Sequence, residues 1–82
     1  MKNILIADHH PVIRKGVVCM LKKTKDFAVI GKAQNGDELF RQLELLQPDI
    51  VVMELELPQL TGISALRSIK AKYPKTRILV FS

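Results

Sequence analysis

Four short apolar runs punctuate the chain: "ILIA" at 4–7, "FAVI" at 27–30, "IVVM" at 50–53 and "ILVF" at 78–81. They are nearly unbroken rather than alternating, as strands covered on both faces of a parallel sheet are. Helical spacing occupies the intervals. In 11–24, Val12, Ile13, Val17, Met20 and Leu21 form the expected stripe, with Pro11 suited to a first turn. Val18 and Cys19 widen it, which predicts a second packing surface on that helix. In 36–47 the stripe is Leu39, Phe40, Leu43 and Leu46, introduced by Asn35 and Glu38 in a capping-box arrangement. In 61–73 it is Ile63, Leu66, Ile69 and Tyr73, with Thr61 as the expected cap. Pro48, Pro58 and Pro74 mark the joints. Strand and helix alternate throughout, which predicts an α/β layered domain with right-handed crossovers.

Ligands in such sheets bind beyond the carboxyl ends of the strands. Those ends are Asp8-His9-His10 after the first run, Glu54-Leu55-Glu56 after the third and Ser82 after the fourth. Topology therefore predicts that acids, imidazole and hydroxyl converge on one rim.

Composition narrows the function. Eighty-two residues make one domain, here 1–82, filled with aliphatic side chains: 48% are hydrophobic and only 5% aromatic. So few aromatics argue against a stacking platform for single-stranded nucleic acid. The net charge of +5 comes from scattered residues, Arg14 to Lys25 in one region and Arg67 to Arg77 in another. Those fit solvated helix faces, so direct nucleic-acid binding is not expected, and a basic nucleic-acid-binding module remains the distant alternative. One cysteine, Cys19, is expected to be ordinary packing in a cytoplasmic protein. No apolar stretch reaches the roughly 20 residues of a membrane span.

The motifs carry a resemblance. "LIADHHPVIRKG" resembles the start of a response regulator receiver domain of two-component signalling, in the subclass that usually bears a C-terminal LuxR-type helix-turn-helix. "PDIVVMELELPQLTG" is similar to that family's phosphoacceptor segment, and "RILVFS" to its fourth strand. The resemblance implies a flavodoxin-like (CheY-like) doubly wound sheet, truncated after the fourth strand and ordered 2-1-3-4.

It also implies roles. Glu54 stands at the phosphoacceptor position, normally aspartate. Asp8, His9 and Glu56 occupy the acidic, metal-binding positions, Glu56 through its backbone carbonyl with a solvent-facing side chain. Ser82 matches the hydroxyl that contacts the phosphoryl group. His10 matches a histidine of the family and is expected to be structural. The lysine of a fifth strand has no counterpart.

The departures predict lost phosphotransfer. Magnesium, the family's ion, takes octahedral oxygen ligation and keeps several waters, so a nitrogen at His9 weakens its site and no resident cofactor is expected. Glu54 reaches about 1.5 Å further than aspartate, and about 1 Å of misplacement can cost on the order of 100-fold in rate. Glu54 then either mimics the phosphorylated state, with Ser82 as partner, or is simply an inactive acid. A protonated His9 would relieve repulsion between Asp8 and Glu54, with sensitivity between about pH 5 and 8. Alternatively Asp8, His9 and Glu54 hold zinc or nickel.

These expectations describe a degenerate receiver that is not an enzyme and acts as a phosphorylation-independent interaction and dimerisation module. A homodimer through the open edge of the fourth strand, the bare face or a domain swap is expected, with a receiver or histidine kinase as further partner and no membrane. The alternative is a receiver still phosphorylated on Glu54.

Overall fold

The computed structural model describes residues 2–59 and 62–81. Its elements follow in the order β1 (Lys2–Ala7), α1 (Pro11–Lys22), β2 (Phe27–Ala33), α2 (Gly36–Leu46), β3 (Ile50–Glu54), α3 (Gly62–Lys72) and β4 (Arg77–Phe81). All pairings are parallel, and the sheet order is β2-β1-β3-β4. The expected alternation and strand order are both present.

Alternate residues of each strand supply two cores. Toward α1, Ile4 and Ile6 pack with Val18, joined by Val17, Leu21, Phe27, Val29, Ile50 and Val52. Toward α2 and α3, Leu5, Ala7, Val51 and Met53 meet Leu39, Leu43, Leu57 and Ile69, with Leu66, Tyr73 and Ile78 at the margin. Burial on both sides is why β1 and β3 read as unbroken apolar runs. Leu79 and Val80 of β4, expected to be covered, are exposed because no helix among the described residues packs over them.

The helix ends follow local chemistry. The Asn35 side chain accepts the Glu38 N–H at 2.9 Å, and the Glu38 carboxylate accepts the Gln34 N–H at 3.1 Å, so the expected cap of α2 forms. The same helix ends at Gln47 in the left-handed region, with φ 46° and its N–H donating to the Leu43 carbonyl. Thr61, the expected cap of α3, and the side chains of Ile63 and Phe81 lie outside the described residues.

Two expectations need correction. Val17, Val18 and Leu21 turn α1 toward the sheet, whereas Val12, Ile13 and Met20 are exposed, Val12 to 82%. Cys19 is exposed too, not packed. The apolar residues of α1 wrap most of its circumference, and one layer of sheet can bury only one side of a helix.

β2 also runs past its apolar stretch to Ala33. It carries a bulge: Ile4 pairs with Val29 but Leu5 with Gly31, skipping Ile30. Glycine suits that strand because a Cβ there would strike the Gln42 side-chain oxygen and sit 2.8 Å from Leu46 Cδ1.

Candidate functional site: a histidine–carboxylate rim

Pairing of β1 with β3 ends at Ala7 and Met53, so the residues that follow, Asp8 and Glu54, stand side by side at the strand tips, Glu54 still paired with Phe81 of β4. Asp8 extends the ladder by one bond, its N–H donating to the Ala33 carbonyl at 2.9 Å. Its side chain is fully buried, and its Oδ1 accepts the His10 N–H at 2.7 Å. That bond closes a turn of the kind aspartate makes with the amide two residues on. The turn bends the chain back over the strand tip and feeds it into α1, with Pro11 at the start of the helix.

The turn delivers both histidines to Glu54. Glu54 closes β3 and is 5% exposed. Its Oε1 accepts the His9 N–H at 3.2 Å and also contacts His9 Nδ1. Its Oε2 lies 3.3 Å from His10 Nδ1, which is 3.1 Å from Asp8 Oδ1. The two imidazole rings lean together, centroids 3.8 Å apart. One donor atom from each of Asp8, His9, His10 and Glu54 falls within 4.8 Å of all the others.

Convergence of Asp8, His9 and Glu54 matches the expectation from topology. His10 is a residue that sequence reasoning kept out of the site, as a structural neighbour of Pro11. It does shape the turn, yet its ring bridges both carboxylates. The signal available was its place in the tight turn between a strand tip and a helix start. Glu56 is exposed and its side chain stays outside the cluster. Ser82 lies outside the described residues.

The loop after β3 is tied to the start of α2. The Gly36 N–H donates to the Pro58 carbonyl at 2.8 Å, and the Asp37 N–H to Gln59 Oε1 at 3.0 Å. Gln59 has φ 70°, a conformation that non-glycine residues adopt reluctantly. These bonds tie the segment that follows Glu54 to the first turn of α2.

A family model described as response regulator receiver domain matches residues 4–82. The chain belongs to that family. It is 34% identical over 80 residues to the transcriptional regulatory protein YdfI of Bacillus subtilis, covering 98% of this chain and 38% of YdfI. Among solved structures, a LuxR-family two-component response regulator from Aurantimonas superposes with TM-score 0.89 at 36% identity, over 99% of this chain and 58% of that one. A structure of two RcsB dimers bound to two parallel DNAs superposes with TM-score 0.91 at 27% identity, over 96% of this chain and 43% of that one. The chain thus spans less than half the length of YdfI.

As a receiver domain of two-component signalling, the chain would be expected to hold magnesium at this rim. The donors present do not fit that ion. Two of the four converging side chains offer imidazole nitrogen, and the Glu54 oxygens are engaged by His9 and His10. Magnesium prefers six oxygens, several from water. The described helices include none long and apolar enough to cross a membrane.

Proposed function

We propose that this chain is a degenerate receiver domain whose association does not depend on phosphorylation. One observation carries the reading: the carboxylate at the phosphoacceptor position, Glu54, is buried, and both its oxygens face histidines. A phosphoryl acceptor needs a free oxygen in line with its donor and a metal on the transferring group. Here the oxygens stand further from the backbone than an aspartate's and are held by imidazole. That longer reach supports reading Glu54 as a fixed stand-in for a phosphoryl group.

We read the domain as a non-enzymatic signalling module that works by contact. Its proposed partner is a second copy, with another receiver or a histidine kinase as the further class. Among the described residues β4 pairs only with β3, and Leu79 and Val80, exposed to 58% and 43%, project from its two faces. Such an edge is a template for strand or face pairing. The dimers named for RcsB lend support from a related fold. Direct nucleic-acid binding by this domain is not part of the reading.

Light scattering on the chain at tens of micromolar, with and without a small phosphodonor and magnesium, tests it. The expected result is a dimer mass in both conditions. A monomer that melts cooperatively, or a dimer that forms only with the phosphodonor, contradicts it.

A further inference from the structure

We propose that Asp8, His9, His10 and Glu54 form a zinc site built from the remains of the receiver's magnesium pocket. The inference is independent of the dimerisation reading, because all four ligands come from one chain.

The donor set comes first. Two imidazole nitrogens and two carboxylate oxygens are a ligand combination that zinc accepts and magnesium does not. The spacing follows. Tetrahedral zinc with bonds near 2.0–2.2 Å places its ligand atoms about 3.3 Å apart. Two edges of that tetrahedron are already in place: His10 Nδ1 is 3.1 Å from Asp8 Oδ1 and 3.3 Å from Glu54 Oε2. His9 Nδ1 lies against the other oxygen of Glu54, and all four donor atoms fit within 4.8 Å. Small side-chain rotations therefore close the site.

The surroundings suit a metal as well. The carboxylates form a buried base, whereas the His9 and His10 side chains are 37% and 53% exposed, so an ion enters from the imidazole side. Backbone amides orient both acids: the His10 N–H fixes Asp8 Oδ1 and the His9 N–H reaches Glu54 Oε1. Outer contacts of this type hold ligands in register for a metal. Three ligands lie on the turn that starts α1, and the fourth ends β3. Zinc would therefore pin that turn to the strand beside it.

The test uses the untagged chain, zinc chloride and cobalt chloride. Native mass spectrometry is expected to show one zinc per chain, and thermal melting a rise with zinc but none with magnesium. Cobalt should give the intense visible bands of a tetrahedral complex. His9→Gln and His10→Gln, which keep polar side chains, should each weaken zinc binding by at least about tenfold and abolish the cobalt bands. Absence of zinc binding overturns the proposal. So does zinc binding unchanged in both variants, or a weak octahedral cobalt spectrum in the parent chain, which needs no variant to fold.

Discussion

His10 Nδ1 lies 3.3 Å from Glu54 Oε2, across the rim between the first helix and the third strand. Together with His9 on the other oxygen and Asp8 beside it, it forms a rim where two imidazoles meet two buried carboxylates. The receiver fold carries two imidazoles at this rim beside the two carboxylates.

Placing aspartate at positions 9 and 54 should create magnesium affinity. A chain carrying His9→Asp and Glu54→Asp has three short carboxylates around the tip of β1, the oxygen-rich arrangement that ion prefers. Magnesium at about a hundred times its Kd should then stabilise the double variant by about 2.7 kcal/mol. The parent chain should show no magnesium-dependent change in its melting curve. An equal response from both would mean that His9 and Glu54 do not govern magnesium affinity.

The two cores set the stability of a chain this short, on the order of 4–12 kcal/mol in total. Leu43 is fully buried between α2 and the sheet. Leu43→Ala should cost about 2–5 kcal/mol, and Gly31→Val, which forces a branched side chain under Gln42 and Leu46, about 1–3 kcal/mol. Urea unfolding measures both. A midpoint unchanged by Leu43→Ala would contradict the placement of α2.

Gln47 offers the opposite sign. Its φ of 46° ends α2 in a conformation that glycine adopts without strain. Gln47→Gly should stabilise the domain by about 0.5–1 kcal/mol, with the gain visible in the same urea titration. A loss of stability would show that the Gln47 side chain matters more than its backbone.

An exposed cluster joins α2 to the end of α3. The Tyr73 hydroxyl donates to Glu44 Oε2 at 2.6 Å, and Lys72 Nζ lies 3.2 Å from the same oxygen. The Tyr73 hydrogen bond, then Lys72, hold the Glu44 carboxyl below its ordinary 4.5. Glu44 in turn raises Lys72 above 10.5 and, helped by burial, Tyr73 above 10.0. The lowered acid contributes stability above its ordinary value and loses it as pH falls through the lowered one. The raised groups contribute below their ordinary values and lose it as pH climbs through the raised ones. Glu44→Gln should therefore flatten the pH dependence of the melting midpoint at both the acid and alkaline ends, weakly and less so in high salt. An unaltered profile at low salt would remove the cluster from the account.

Much of this was legible in the order of residues. Runs such as 50–53 identify buried strands because helices cover both faces, and Asn35 with Glu38 marks a cap that forms as spaced. The motifs "DHHP" and "MELELPQLTG" place Asp8, His9 and Glu54 at neighbouring strand tips. Less legible was anything set by a turn. Periodicity says nothing of where the His10 ring points, because the hydrogen bond from its N–H to Asp8 decides that. Nor could it choose a side for α1, whose apolar residues nearly encircle it while, among the described residues, Val17, Val18 and Leu21 pack against the sheet. The bulge at Ile30 was hidden for a related reason: an apolar run reads the same with or without a skipped pairing.

Phosphoryl uptake by Glu54 is the most direct measure of whether this rim has left phosphorelay chemistry. Intact-mass analysis of the chain after incubation with a small phosphodonor and saturating magnesium should return only the unmodified mass. A phosphoryl adduct that maps to Glu54 and forms at the rate of an ordinary receiver would contradict the account.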